Sequence, residues 1–557
     1  MSTECSQSLL SRLPLEILVL SLTLCGAKSL TACSATCRWL RHIILNTPEI
    51  SYLIELDVRG YMDNPSSRLS TTQKIAELRR WDRQWSKLEF ASDTGTYITC
   101  LDERFLFDFN AGIYAYTTYL LPLPFDTQFH FHFLDVSAPH MLEMLTIIEG
   151  KECGRSWSAH AEGQLLDFFI DVGQDVLFFV LKVEQAHTIH IRVLSTGQER
   201  NTPITVLVHE EEPTGCFFDV RRHLLLFGLV PSSSNNRHHP LTDSHVINWH
   251  TGEIVSRLRG MHTCEAAFLD DTKIVTICRH EMQPLVGLHG GMKTEASLRV
   301  YEFKEDGHST QPLLQCSLLL PPFNPHESFI FKLSTGSTSV TKPDDRLPFL
   351  TSPSAPFLVV VAITSNAEFY TFNGTVRICM VSDSLVALCN KMVPILSLSE
   401  GESIESTPWE EWGPSLTRCT QSSAWYTSDR DVHGLRMPCE SPLSADTVDE
   451  ITGVIMTARA EDYKIVLFDF NQTAIERELI NKGSEGTEWR YVDYETTLQI
   501  DCFKDLIVTR LPFRFALSDQ TVLMGGIIFD GVHMVLEEET MDENETVTSQ
   551  GLRVLTV

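Results

Sequence analysis

A chain of 557 residues, 43% hydrophobic and 21% charged, has the composition of a folded globular protein rather than a disordered one. Its formal charge of −29 is unevenly placed: residues 1–90 hold 11 Lys and Arg against 9 Asp and Glu, whereas the remainder holds 33 against 64. An acidic body of this kind excludes broad binding to nucleic acid or anionic membrane surfaces, since both need clustered Lys and Arg.

The cysteine count is odd, 15, with no Cys-x-x-Cys pair. That usage predicts a reducing, intracellular compartment and neither a disulfide framework nor a thiolate zinc site. Residues 13–27 have the apolarity of a secretory leader, but Pro14 and Glu16 interrupt the run and no basic segment precedes it. No later stretch reaches the roughly 18 apolar residues of a membrane-spanning helix. The sequons at Asn373, Asn471 and Asn544 are then chance matches.

Near the N-terminus, Pro14 suits a first helical position, and Leu13, Ile17, Leu20 and Leu24 recur at spacings of four, three and four, one apolar helix face. Gly26 ends that helix. A second is predicted from Lys28 and Ser29, with Leu30, Cys33, Cys37, Leu40 and Ile44 on one side, until Asn46, Thr47 and Pro48 stop it. So small a helical unit cannot bury both of its apolar sides on itself, and such units often need a partner.

Leu13-Pro14-x-Glu16-Ile17-Leu18, then Lys28-Ser29-Leu30, then Cys33-x3-Cys37-Arg38-Trp39-Leu40, resembles the F-box motif, the trihelical docking element of substrate receptors in cullin–RING ubiquitin ligases. The resemblance implies that Leu13, Pro14, Ile17, Leu18, Leu30 and Trp39 lie against, or shape the surface facing, a Skp-type adaptor. Residues 21–25 depart from the family pattern, lacking the usual aromatic-plus-aspartate break between helices. Together with the stretch 47–56 and an Arg- and Trp-rich helix further on, the arrangement resembles the large F-box family of mushroom-forming fungi. The domain reading is an F-box module over residues 8–50, then a connector and docking helix over 51–90.

Residues 47–69 read as connector. Ser70 and Gln73 then have capping-box spacing, and the helix that follows carries Ile75, Leu78, Trp81 and Trp85 on a face that packs on the next domain.

From residue 91 to 557 the pattern becomes short β runs separated by turns. Residues 168–171 and 176–179 can be laid over 217–219 and 224–227, and again over 268–271 and 274–277. Each pair is followed by a further strand, near 191–193, 246–249 and 298–301. The aspartates at 171, 219 and 270 are 48 and 51 residues apart. A period near 50 with several strands per unit is the sequence signature of a β-propeller. Residues 453–471 look like a later copy, and 527–535 a hairpin with an Asp-Gly turn. Seven blades are expected, within a range of six to eight, with insertions at 231–243, 334–356 and 400–447. Residues 553–557 are expected to pair with a first β segment near 97–108 and close the ring. The fold class is therefore mainly β: a small α-helical module followed by a large propeller.

His130 and His132 share one face of a strand, but alternating phenylalanines at 129, 131 and 133 explain them as a half-buried strand rather than a metal site. No phosphate-cradling loop, His-Glu-x-x-His or Gly-x-Ser-x-Gly element occurs. No cofactor, metal or catalytic residue is assigned, and the chain does not read as an enzyme. The expected role is a non-catalytic receptor, with Skp-type adaptor, cullin–RING core and an unknown target protein as partners. Trp409, Trp412 and Trp425 in the third insertion are the candidate target-binding aromatics. The alternative is a propeller hydrolase or lectin whose N-terminal helices are only a cap.

Overall fold

The computed structural model describes residues 13–556 apart from 99–105, 120–126, 137–154, 201–202, 208–214, 231–241, 282–293, 306–310, 325–328, 337–347, 366–374, 393–404, 423–431, 443–462, 481–487, 523–525, 542–546 and positions 162, 184, 185, 262 and 501. The described residues open with four short helices: α1 (Leu15–Thr23), α2 (Ala27–Thr36), α3 (Arg38–Asn46) and α4 (Pro48–Arg59). Three local expectations are corrected here. Pro14 is the residue before α1, extended at ψ 142°, whereas Pro48 takes the first turn of α4. The single helix expected after Gly26 is two, because Cys37 is extended (φ −156°, ψ 157°) and its thiol accepts the Leu40 N–H as a cap. The connector contains α4, which runs through the expected boundary at residue 50 and stops at Gly60, whose φ of 74° favours glycine. Leu18, Leu22, Leu30, Leu40, Ile43, Ile44 and Ile50 form the small core of this module. The fifth helix, α5 (Thr71–Lys87), begins at Ser70 with both hydrogen bonds of the capping box in place.

Seven four-stranded antiparallel sheets follow among the described residues. Blade 1 comprises Phe107–Asn110, Ile113–Tyr119, Thr127–Asp135 and Arg155–Ala161; blade 2, Gln164–Asp171, Val176–Val183, Ala186–Val193 and Ile204–Leu207. Blade 3 is Gly215–Arg221, Leu224–Val230, Thr242–Asn248 and Glu253–Met261; blade 4, Thr263–Phe268, Lys273–Glu281, Thr294–Glu302 and Leu313–Leu319. Blade 5 is Phe329–Thr335, Leu358–Ser365, Thr375–Val381 and Thr417–Ser422. The three hairpins overlaid in the sequence are the first two strands of blades 2, 3 and 4.

Blade 6 breaks the pattern. Its spatial order is Arg436–Pro442, Tyr463–Asp469, Phe513–Val522, Arg490–Val492, so the edge strand comes from an excursion preceding the third strand. After α6 (Ser382–Cys389) and α7 (Trp409–Leu416) earlier in the chain, that excursion carries α8 (Gln472–Ile480) and a hairpin, Thr496–Leu498 with Ile507–Thr509. The hairpin straps the outer strand of blade 5, where buried Arg418 donates to Thr496 Oγ1 and to the carbonyls of Tyr494, Thr509 and Leu511. The expected insertion at 400–447 therefore conceals two blade strands, Thr417–Ser422 and Arg436–Pro442.

Blade 7 joins both ends of the propeller: Ile527–Phe529, His533–Met541, Val547–Thr556 and, outermost, Ser92–Ile98. Ring closure is thus by the last strand, as expected, but its partner starts at Ser92 (paired with Thr556) and ends at Ile98 (paired with Gln550), not at 97–108. Residues from Phe107 onward are taken by the first strand of blade 1.

The core lies between blades. Phe131, Phe168 and Phe179 fill the space between blades 1 and 2, Phe178, Phe227 and Trp249 that between 2 and 3, and Phe109, Tyr114, Val535 and Val554 that between 7 and 1. Carboxylates stitch neighbouring blades together: Asp108 accepts from Ile170 N–H at 2.6 Å, Asp219 from Phe268 N–H at 2.7 Å, and Asp530 from Gly112 N–H at 2.6 Å. Each is a charge-assisted bond, buried at Asp108 and half-buried at Asp219 and Asp530, and stronger than a neutral one.

Candidate docking face on the helical module

Helix α1 is apolar on two opposite sides. Leu18 and Leu22, four residues apart, point into the module core at 3% and 6% exposure. On the other side, Leu13, Ile17, Leu20 and Leu24 are 41%, 48%, 61% and 84% exposed. The stripe read from the sequence as the helix's apolar face is therefore its outward face. A helix that is apolar all round is normally buried all round. Covering these side chains would stabilise a complex by roughly 1 kcal/mol or more each at about 25 cal/mol per Å². Trp39 is 41% exposed and Pro14 is exposed, whereas Leu30 is fully buried. Of the six adaptor-facing positions expected, Leu13, Pro14, Ile17 and Trp39 are on the surface; Leu18 and Leu30 shape it from within.

The module is bolted to the propeller. Trp85 of α5 meets Phe529 of blade 7 edge-on at 5.3 Å, and Trp81 meets Phe349 at 6.0 Å. With Leu78 they sit in one cluster with Tyr463, Leu467 and Met534. The stretch Tyr61–Asp63 pairs with Phe349–Thr351 inside the insertion expected at 334–356, and Lys74 holds Asp63 at 2.6 Å.

Beside this lies a buried ionic network. Glu55 of α4 is held by Arg59, by Arg79 at 3.3 Å and by Arg477 of α8 at 2.7 Å. Asp82 of α5 faces Arg59 (3.4 Å), Arg436 (3.7 Å) and Arg514 (3.3 Å). Arg514, 1% exposed at its side chain, also binds Asp469 at 2.7 Å and Glu478 at 2.8 Å, and lies over the Trp489 ring. Two carboxylates from the helices thus meet three arginines from blade 6 and its excursion. Sequence reasoning missed this set, because only Glu55 and Arg59 are local, at i,i+4.

Burial would raise the Glu55 carboxyl, but the hydrogen bond from Arg477 and the charges of Arg59 and Arg477 outweigh it and hold it at about 2. A carboxylate depressed in this way from an ordinary 4.5 contributes stability that is complete above 4.5 and is lost as pH falls toward 2. Acidification through that window is expected to loosen the module. Tryptophan fluorescence should report the change, and Glu55→Gln should flatten its pH dependence.

No family model and no curated protein matches the chain. Among solved structures, it is similar to an uncharacterized protein from Listeria monocytogenes EGD-e, at 9% identity and TM-score 0.31, covering 73% of this chain and 90% of that one. It is also similar to the WD40 domain of Toxoplasma gondii coronin, at 9% identity and TM-score 0.31, covering 79% and 90%, and to the WD40 domain of SCAP from fission yeast, at 9% and 0.29, covering 84% and 98%. At such scores the fold rests on this chain's own seven sheets and their closure. It is a β-propeller, an architecture compatible with binding other proteins.

The tryptophans expected to meet a target are placed differently. Trp409 and Trp412, on α7 (Trp409–Leu416), are 5% and 1% exposed and meet edge-on at 5.1 Å. The Trp412 indole donates to Leu319 O of blade 4 at 3.0 Å. Buried in this way they fasten the insertion to the ring and offer no surface to a target. Trp425, residues 231–241 of the insertion expected at 231–243, and with them His238 and His239, lie outside the described residues, as do Asn373 and Asn544; residues 242 and 243 already belong to the third strand of blade 3. His132 is half-buried and stacks on Tyr116 at 4.7 Å. Asn471 is buried, its amide donating to Val58 O, which leaves no room for a glycan. Among the described residues no group of three His, Cys, Asp or Glu could hold a metal, and no helix is long and apolar enough to cross a membrane.

Proposed function

We propose that this chain is the substrate-recognition subunit of a cullin–RING ubiquitin ligase of the F-box type. Its helical module docks on a Skp-type adaptor, and its propeller holds a target protein. The observation that carries the reading is the exposed Leu13, Ile17, Leu20 and Leu24 stripe on a module whose own core is already complete on the opposite side. The fixed attachment of the module supports it as well. A receptor acts by raising the effective concentration of its target near the ligase's thioester, which rewards a rigid link and requires no catalytic residue of its own. The reading carries with it an intracellular location.

The test is co-purification with a Skp-type adaptor. Ile17→Asp with Leu20→Asp is expected to weaken adaptor binding at least tenfold, since two charges would have to be desolvated at the interface. The thermal midpoint should be unchanged, because both side chains already face water. Intact protein that fails to bind the adaptor, or a double variant that binds as well as the parent, removes the reading.

A further inference from the structure

The described parts of the excursion between the third and fourth strands of blade 5, residues 382–392 and 405–416, touch the outer strand of blade 4. They begin with α6 (Ser382–Cys389) and end with α7. Between them, Thr407 donates its N–H to Ser317 O and accepts from Leu319 N–H, both at 2.9 Å, so it adds a short parallel bridge outside Leu313–Leu319. Ser406 Oγ lies 2.8 Å from Ser317 Oγ, and Trp412 caps Leu319 O. One position back along the same strand, the Cys316 thiol lies against the thiol of Cys389, the last residue of α6, with the sulfurs 2.7 Å apart. Both are buried, at 3% and 1% exposure, in one cluster with Leu385, Trp409 and Trp412.

We propose that Cys316 and Cys389 are a modification site: an oxidisable pair that a disulfide-class or peroxide oxidant converts to an intramolecular bond, fixing the blade 5 excursion onto blade 4. The geometry already brings the sulfurs inside ordinary nonbonded contact, and the bonds of Ser317 and Leu319 with Thr407 hold the far end of the same excursion on the strand that carries Cys316. With glutathione disulfide, one thiolate attacks a glutathione sulfur and releases one glutathione thiol. The second cysteine then displaces the other glutathione, so two protein S–H bonds and one S–S bond are exchanged for one protein S–S bond and two glutathione thiols. The hydrogen bond with Cys316, and then burial, push the Cys389 thiol upward, so little thiolate is present. Oxidation is accordingly slow, as suits a state set by the compartment rather than a rapid signal. The two cysteines are 73 positions apart in the sequence, a loop long enough for the bond to restrict the unfolded chain strongly.

The full chain, purified in reductant, is incubated with glutathione disulfide below its thermal midpoint, denatured in an alkylating agent and mapped without reduction. The expected result is a peptide joining Cys316 to Cys389, two fewer alkylated cysteines, and a thermal midpoint higher by a few degrees that thiol reductant restores. Cys389→Ser should show neither the cross-link nor the rise. Cys316 alkylated as fully after oxidation as before it, or joined to any other cysteine, overturns the proposal; the parent protein alone decides this should the variant fail to fold.

Discussion

Truncation after Gln550 is expected to abolish the cooperative unfolding transition of the whole propeller rather than trim one blade. The cut removes Leu552, Val554 and Leu555, exposed at 1%, 0% and 0%, and leaves Ser92–Tyr97 and His533–Glu538 without the strand between them. At about 1.5–3 kcal/mol per fully buried side chain, the lost burial alone approaches the roughly 5–15 kcal/mol by which folded domains are stable. The interface between blades 7 and 1 goes with it, and so does part of the cluster into which Trp85 of α5 inserts. Circular dichroism melts should show a broad, low transition or none. An unchanged thermal midpoint would mean that the last strand does not close the ring.

Arg514→Met is expected to have the next largest effect, about 3–5 kcal/mol of destabilisation, the usual cost of leaving buried charges without their partner. Among the described residues, Arg514 is the one cation that touches Asp82, Asp469 and Glu478 together. Its loss takes from Glu478 its ion pair and leaves Asp82 to Arg59 and Arg436, and Asp469 to Arg436 alone, at longer distances of 3.4 to 3.7 Å in a largely buried space. The thermal midpoint should fall by several degrees, and limited proteolysis should open the chain between residues 47 and 92, where the module is tied down. Adding Asp82→Asn should recover part of the loss by removing one stranded charge. A midpoint within a degree of the parent would show the network to be more hydrated than its burial indicates.

Legibility in the sequence followed the range of the interactions. The hairpins of blades 2, 3 and 4 stood out because their strands are apolar and their turns short, as between Asp171 and Val176. The outer strand of blade 5 did not, because its residues Thr417, Arg418, Thr420 and Gln421 are polar. What buries them is the strap around Arg418, which arrives from residues 494–511. The tryptophans at 409 and 412 looked like surface anchors in a polar stretch, since nothing nearby announced that Leu319 and blade 4 would cover them. On the module, the spacing of Leu13, Ile17, Leu20 and Leu24 was plain, but spacing alone does not say which of two apolar faces turns inward. Leu18 and Leu22 won that position because Leu30, Leu40 and Ile44 meet them there. The break at Cys37 depends on a single thiol capping Leu40, a contact without a compositional mark.

Blade 7, with one strand from residues 92–98 and three from beyond residue 526, has a consequence for how the chain is made. The outermost strand leaves the ribosome about 450 residues before its partner, which at 5–20 residues per second is a wait of roughly 20 to 90 s. Throughout that interval α4 and α5 have no Arg477, Arg514 or Phe529 to seat on, because those residues are also still to come. The nascent protein therefore carries an unseated helical module and an open sheet edge until blades 6 and 7 have been made. Attachment of the module thus becomes a checkpoint on completion of the propeller: a ribosome that stalls before residue 513 releases a chain whose helices cannot be locked to a ring.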